Sequence, residues 1–172
     1  MNALLPILQH TPVGVWALLA LILALGLRQT RGLRQGRTRL LLPPALWLLA
    51  GAASMAHLAG WFSPGMLAWW AGLALSLALV LRRGGGRRAR YDADQELYHV
   101  PGSWAPLGLM LGLFASKYLS AVMLALHPHW GSEAGFGIGL GAVLGILAGA
   151  LLGRPIGILR CPSGPQPATL HP

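Results

Sequence analysis

Charge is what this sequence has least of. Only 10% of its 172 residues are Asp, Glu, Lys or Arg, against about 25% in an ordinary soluble domain. That leaves too few polar side chains to clothe a water-facing surface. It excludes a soluble globule and makes lipid the expected solvent. Acids are scarcest: the four are Asp92, Asp94, Glu96 and Glu133, and none lies within an apolar run. Cys161 is the single cysteine, which excludes an intrachain disulfide and a cysteine-based zinc site. Phosphate-cradling loops, an HExxH pair and a Ser-His-Asp pattern with acids at membrane depth are missing as well. No enzyme activity and no cofactor are therefore expected.

What is present is hydrophobic: 55% of the residues are apolar. Five apolar runs divide the chain, with helical spans expected at about 12–27, 43–62, 66–81, 104–126 and 134–153. Thr11-Pro12 offers a capping hydroxyl followed by proline at the first helical position. Pro43-Pro44 predicts the true start of the second helix. Ser63-Pro64-Gly65 is the whole connection between the second and third spans, so these two read as an antiparallel hairpin. The stretch 82–102, with Gly84-Gly85-Gly86, reads as a polar loop. Residues 1–161 make one membrane domain on this reading, and 162–172 a disordered, Pro-rich tail.

The net charge of +9 would suggest nucleic acid if read alone. Its placement argues for topology instead, and no nucleic-acid partner is expected. All twelve arginines fall in the 28–39 segment, the 82–102 segment and the tail. The N-terminus, the 63–65 turn and the 127–133 loop carry no Lys or Arg. Positive residues are retained on the cytoplasmic side, so the sequence predicts the N-terminus outside and the C-terminus inside. With no basic residue before the first run and five arginines after it, that run is expected to remain as a span rather than be cleaved. The seven tryptophans all map near expected span ends, where an indole keeps its ring in lipid and its N–H in water.

Two features within the spans stand out. Gly137, Gly141, Gly145, Gly149 and Gly153 recur every fourth residue, a bare stripe along the fifth helix that lets a neighbouring backbone approach closely. Gly108, Gly112 and Ser116 in span four are candidate counterparts. The stripe serves either packing within the chain or an interface with a second copy or a partner membrane protein. Lys117 is the one formally charged residue within a span, and a bare lysine at that depth costs several kcal/mol. Tyr118, Ser120, Ser116 and His57 are its candidate neighbours in a ligand or proton site; a hydrogen-bonded lysine that fixes packing is the alternative. His10, His57, His127 and His129 all map to the outer half. They could supply imidazole to a soft metal, although no fixed-spacing metal motif is present and interfacial histidines are the plainer reading.

Pro101-Gly102-Ser103-Trp104 with Pro106, then Phe114-x-x-Lys117-Tyr118, then Pro128 resembles a family of small bacterial inner-membrane proteins of unknown function. The opening His10-Thr11-Pro12, with Val13 and Trp16, is similar to the start of those proteins. The resemblance covers most of the chain and departs in the 82–96 loop. It implies a multi-pass protein of the bacterial inner membrane and supplies no activity.

The expectation is thus an all-α polytopic bundle of five spans in a lipid bilayer. Two functions follow from the residues. One is a small transporter or ligand-binding protein built around Lys117. The other is a structural or accessory subunit using its glycine faces.

Overall fold

Backbone N–H and C=O groups find no water in hydrocarbon, so a long apolar run can satisfy them only by closing into a helix. A computed structural model describes residues 12–84, 90–92 and 97–160. The elements in chain order are α1 (Val13–Thr30), β1 (Leu33–Gln35), α2 (Arg37–Ala59), α3 (Pro64–Arg82), β2 (Arg90–Asp92), β3 (Leu97–Val100), α4 (Ala105–Leu126), a 3-10 turn (Pro128–Ser132) and α5 (Ala134–Leu159). Five helices are long and apolar enough to cross a membrane, as the five runs require. His10, Thr11 and the tail from Cys161 lie outside the described residues.

Two helix boundaries differ from expectation. Helix α2 begins at Arg37, leaving Pro43 and Pro44 inside it. A proline pair ordinarily breaks a helix, because each lacks the N–H and crowds the carbonyl four residues back. Here the early turns are held from outside. The Leu40 N–H donates to the Gly36 carbonyl at 3.2 Å, the Arg37 Nε donates to the Tyr98 hydroxyl at 3.3 Å, and Leu40 packs on Tyr98 and Ile158. Helix α5 likewise runs past Gly153 and through Pro155 to Leu159, because Pro155 and Ile158 are buried. At the other connection, Ser63 caps α3 by accepting from the Met66 N–H at 3.1 Å.

Every helix feeds one core: Ile22 from α1, Met55 from α2, Met66, Trp69 and Leu73 from α3, Met110 and Leu113 from α4, and Leu144, Ala148 and Leu151 from α5. Helix α5 is central. It packs most extensively on α3, with further contacts to α2 and α4, while α1 lies on α4. Helices α2 and α3 are joined by the tight turn at Gly60 (φ 88°), yet the main partner of α3 is α5. Trp69, expected at an interface, is instead wholly buried, and its Nε1 has no hydrogen-bond partner among the described residues. Large apolar side chains such as Leu21, Leu46, Leu67 and Leu75 remain exposed, as helices facing lipid require.

The reading of 82–102 as a polar loop needs one correction. The two polar segments pair into a small antiparallel sheet in the order β1-β3-β2. Leu33 faces Val100 and Gln35 faces Tyr98; Arg90 faces His99 and Asp92 faces Leu97. Buried Tyr98 packs on Ile158 at the end of α5. The sheet therefore ties the two arginine-rich connections together and seats them on one end of the bundle.

Candidate functional site

Between that sheet and the helix ends lies a partly open cavity of about 90 Å3. Its polar wall is Gln29 in the last turn of α1, Arg31 just after it, Arg39 in α2, Ser103 ahead of α4, and Arg154 in α5. Its apolar wall includes Val100 and Pro106 and reaches Met110 and Leu151, two members of the bundle core.

Local chemistry explains why the sequence opens a space here. Gly102 lies so close to Thr30 that an added Cβ would collide with the Thr30 carbonyl oxygen, so only glycine permits the approach. The Ser103 N–H then donates to the Gln29 carbonyl at 3.1 Å. Its Oγ accepts from the Ala105 N–H at 3.3 Å and from Arg154 Nη1 at 3.0 Å. Prolines 43, 44 and 155 have no N–H to give the carbonyls of Arg39, Leu40 and Leu151, and these three residues all line the cavity. The three arginines and the residues whose carbonyls lose a helical donor to proline thus line one small space.

Arg31 and Arg39 are exposed and Arg154 is half-buried. Among the described residues none of the three pairs with a carboxylate. A cluster of cations without counter-ions among the described residues, bordered by apolar surface, is suited chemically to an anion.

The residues chosen from the sequence are distributed differently. Lys117 is half-buried in the middle turns of α4 and does not line the cavity. No hydrogen bond or ion pair reaches its ammonium among the described residues. Ser120 donates to the Lys117 backbone carbonyl at 2.8 Å and Ser116 to the Gly112 carbonyl at 2.8 Å, so both hydroxyls are spent on their own helix. Tyr118 stacks on Phe114, with ring centroids 6.2 Å apart. His57 is exposed on α2, which packs on α5 and α3, and it is not brought to Lys117.

At the other end of the bundle, His127 stacks on Trp130 at 5.0 Å and meets His129 edge-on at 5.8 Å. His129 Nε2 lies 3.9 Å from Glu133. Among the described residues no three His, Cys, Asp or Glu gather as metal ligands; His10 lies outside them.

The glycine stripe divides. Added Cβ atoms at Gly141, Gly145 and Gly149 would collide with the carbonyl oxygens of Gly65, Trp69 and Leu73 respectively. One at Gly153 would lie 2.8 Å from the Val80 Cβ. Gly112 makes ordinary contact with Leu147 at 3.4 Å, whereas Cβ atoms at Gly108 and Gly137 would meet nothing within 4 Å. Gly108 faces outward because α4 turns Leu107, Met110 and Leu113 to the core.

The arginine cavity was not foreseen from sequence. Its arginines read as topology signals, which are indifferent to where each side chain points. The available hints were prolines kept within helical runs and the Pro101-Gly102-Ser103 turn.

No curated protein and no solved structure matches the chain. A family model described as "Family of unknown function (DUF6622)" matches residues 1–169. The chain therefore belongs to the DUF6622 family, a family of unknown function.

Proposed function

We propose that this chain is a multi-pass protein of the bacterial inner membrane, with its N-terminus outside and C-terminus inside, that binds an anionic ligand at its arginine-rich end. It is not an enzyme on this reading. The observation that carries the proposal is the cavity where Arg31, Arg39 and Arg154 converge without a carboxylate partner among the described residues. A half-buried arginine within a spanning helix, as Arg154 is, ordinarily faces the bundle interior or a cavity. No acid lies within any of the five helices.

Lys117, half-buried and without a partner among the described residues, supports a second reading, transport or ligand binding at mid-span. An accessory subunit that docks partners through its glycine face has less support, because α3 already occupies Gly141, Gly145 and Gly149.

The test is thermal stability of the full chain in neutral detergent. It is titrated with inorganic phosphate, glycerol phosphate and a short-chain acidic phospholipid. At least one should raise the Tm of the wild type saturably, and Arg154→Gln should abolish the rise. If no anion distinguishes the wild type from the variant, the proposal is wrong.

A further inference from the structure

The chemistry of the cavity wall narrows the ligand further. A free hydrated anion uses only the cationic side of a site. This cavity is built with two sides, Arg31, Arg39 and Arg154 against an apolar wall that reaches Met110 and Leu151 in the bundle core. It also lies where the apolar helices give way to the sheet, which on the five-span reading is the level of the lipid headgroups.

Size points the same way. At the roughly 30 Å3 that each water takes up in the liquid, a cavity of about 90 Å3 has room for roughly three waters. That is room for a phosphate group, and not for acyl chains. The chains of a lipid would have to lie outside, along apolar helix faces such as that of α1, where Leu21, Leu23 and Leu25 are exposed.

The third observation is the set of carbonyls. Pro43, Pro44 and Pro155 deprive Arg39, Leu40 and Leu151 of their helical donors beside the cavity. Backbone groups freed by proline at membrane depth need another partner. An anion with no O–H group, such as sulfate, supplies none. A headgroup carrying hydroxyls next to its phosphate answers both sets, with arginines on the phosphodiester oxygens and carbonyls accepting from the hydroxyls. Three cations without a carboxylate partner among the described residues favour a headgroup of net negative charge over a zwitterion.

We propose that this cavity binds the phosphoglycerol headgroup of an acidic membrane phospholipid, entering from the bilayer. This rests on the anion-binding reading above. Basic pockets between spanning helices near the cytoplasmic face recognise acidic headgroups by this chemistry.

The experiment uses the full chain purified in neutral detergent. Native mass spectrometry and Tm are recorded with dioleoyl phosphatidylglycerol, dioleoyl phosphatidylcholine, sn-glycerol 3-phosphate or inorganic phosphate. The expected result is retention of phosphatidylglycerol over phosphatidylcholine, with a larger rise in Tm. Arg39→Gln should reduce that preference about fivefold, the scale of one basic residue at an acidic surface. Arg39 is exposed and without a partner among the described residues, so its loss leaves the fold intact. Arg160→Gln, exposed and outside the cavity lining, removes the same charge and should change nothing.

Equal loss in both variants would reduce the effect to general surface attraction and overturn the site. Equal binding of the two lipids would overturn the headgroup assignment. Stabilisation by phosphate or glycerol phosphate without phosphatidylglycerol would overturn the lipid and leave the anion-binding reading standing. Stabilisation by none of them would remove both.

Discussion

Lys117 and Arg154 show how differently two cations read in one sequence. Lysine is unique here and interrupts an apolar run, so its position alone flags it. Arg154 follows the stripe glycine Gly153 and precedes a proline, and there it passes for one more positive charge holding a helix end at the cytoplasmic face. Only the fold shows it donating to Ser103 at 3.0 Å. That bond joins residues 51 positions apart, and nothing local encodes it. For Lys117 the expected outcome of substitution by Met is an intact fold. The change deletes an ammonium that has no partner among the described residues and keeps the length and the apolar stem. Detergent Tm should stay level or rise, within about 1 kcal/mol of wild type. A large fall in Tm would mean that the ammonium is engaged by a partner the fold does not reveal.

At the scale of elements, helices were legible and strands were not. Hydropathy marks a span because the bilayer imposes both its length and its internal hydrogen bonding. Strands of three or four residues carry too few alternations to read. They exist because two segments some sixty positions apart are brought to the same end of the bundle, which a local pattern does not record. The same non-local contacts carry α2 and α5 through prolines that would otherwise stop them. The glycine period was visible, but not which helix it would meet. Along α5, Gly141, Gly145 and Gly149 pair in order with Gly65, Trp69 and Leu73, so α3 and α5 run parallel at backbone contact for three successive turns. Gly145→Ala should therefore destabilise by about 1–3 kcal/mol, since the methyl group must push two backbones apart. Gly139 meets nothing within 4 Å. There alanine should be neutral or stabilising by up to about 1 kcal/mol, through helix propensity. Equal detergent stability of the two variants would contradict the close approach of α3 and α5.

On the scale of the whole molecule, the arrangement has two unlike ends. One carries the sheet, the cavity and every described arginine; the other carries the aromatic and histidine cluster at His127, His129 and Trp130 and no arginine. The sequence predicts which end faces the cytoplasm, because arginine is retained there. An acidic headgroup reaching the cavity must come from the leaflet on that side. The central claim, a five-span bundle whose basic end and cavity are cytoplasmic, is tested most directly by labelling from one side. Single cysteines are placed at Gly36 and at Ser132 in a Cys161→Ser background. Gly36 has a negative φ of −74° and nothing within 4 Å of an added Cβ, and Ser132 is exposed, so both positions accept the change. An impermeant maleimide added to intact cells with a permeabilised outer membrane should label the cysteine at 132 and leave that at 36 unreacted until the inner membrane is broken. Labelling at 36 from the periplasm, or equal labelling at both positions, would contradict the account.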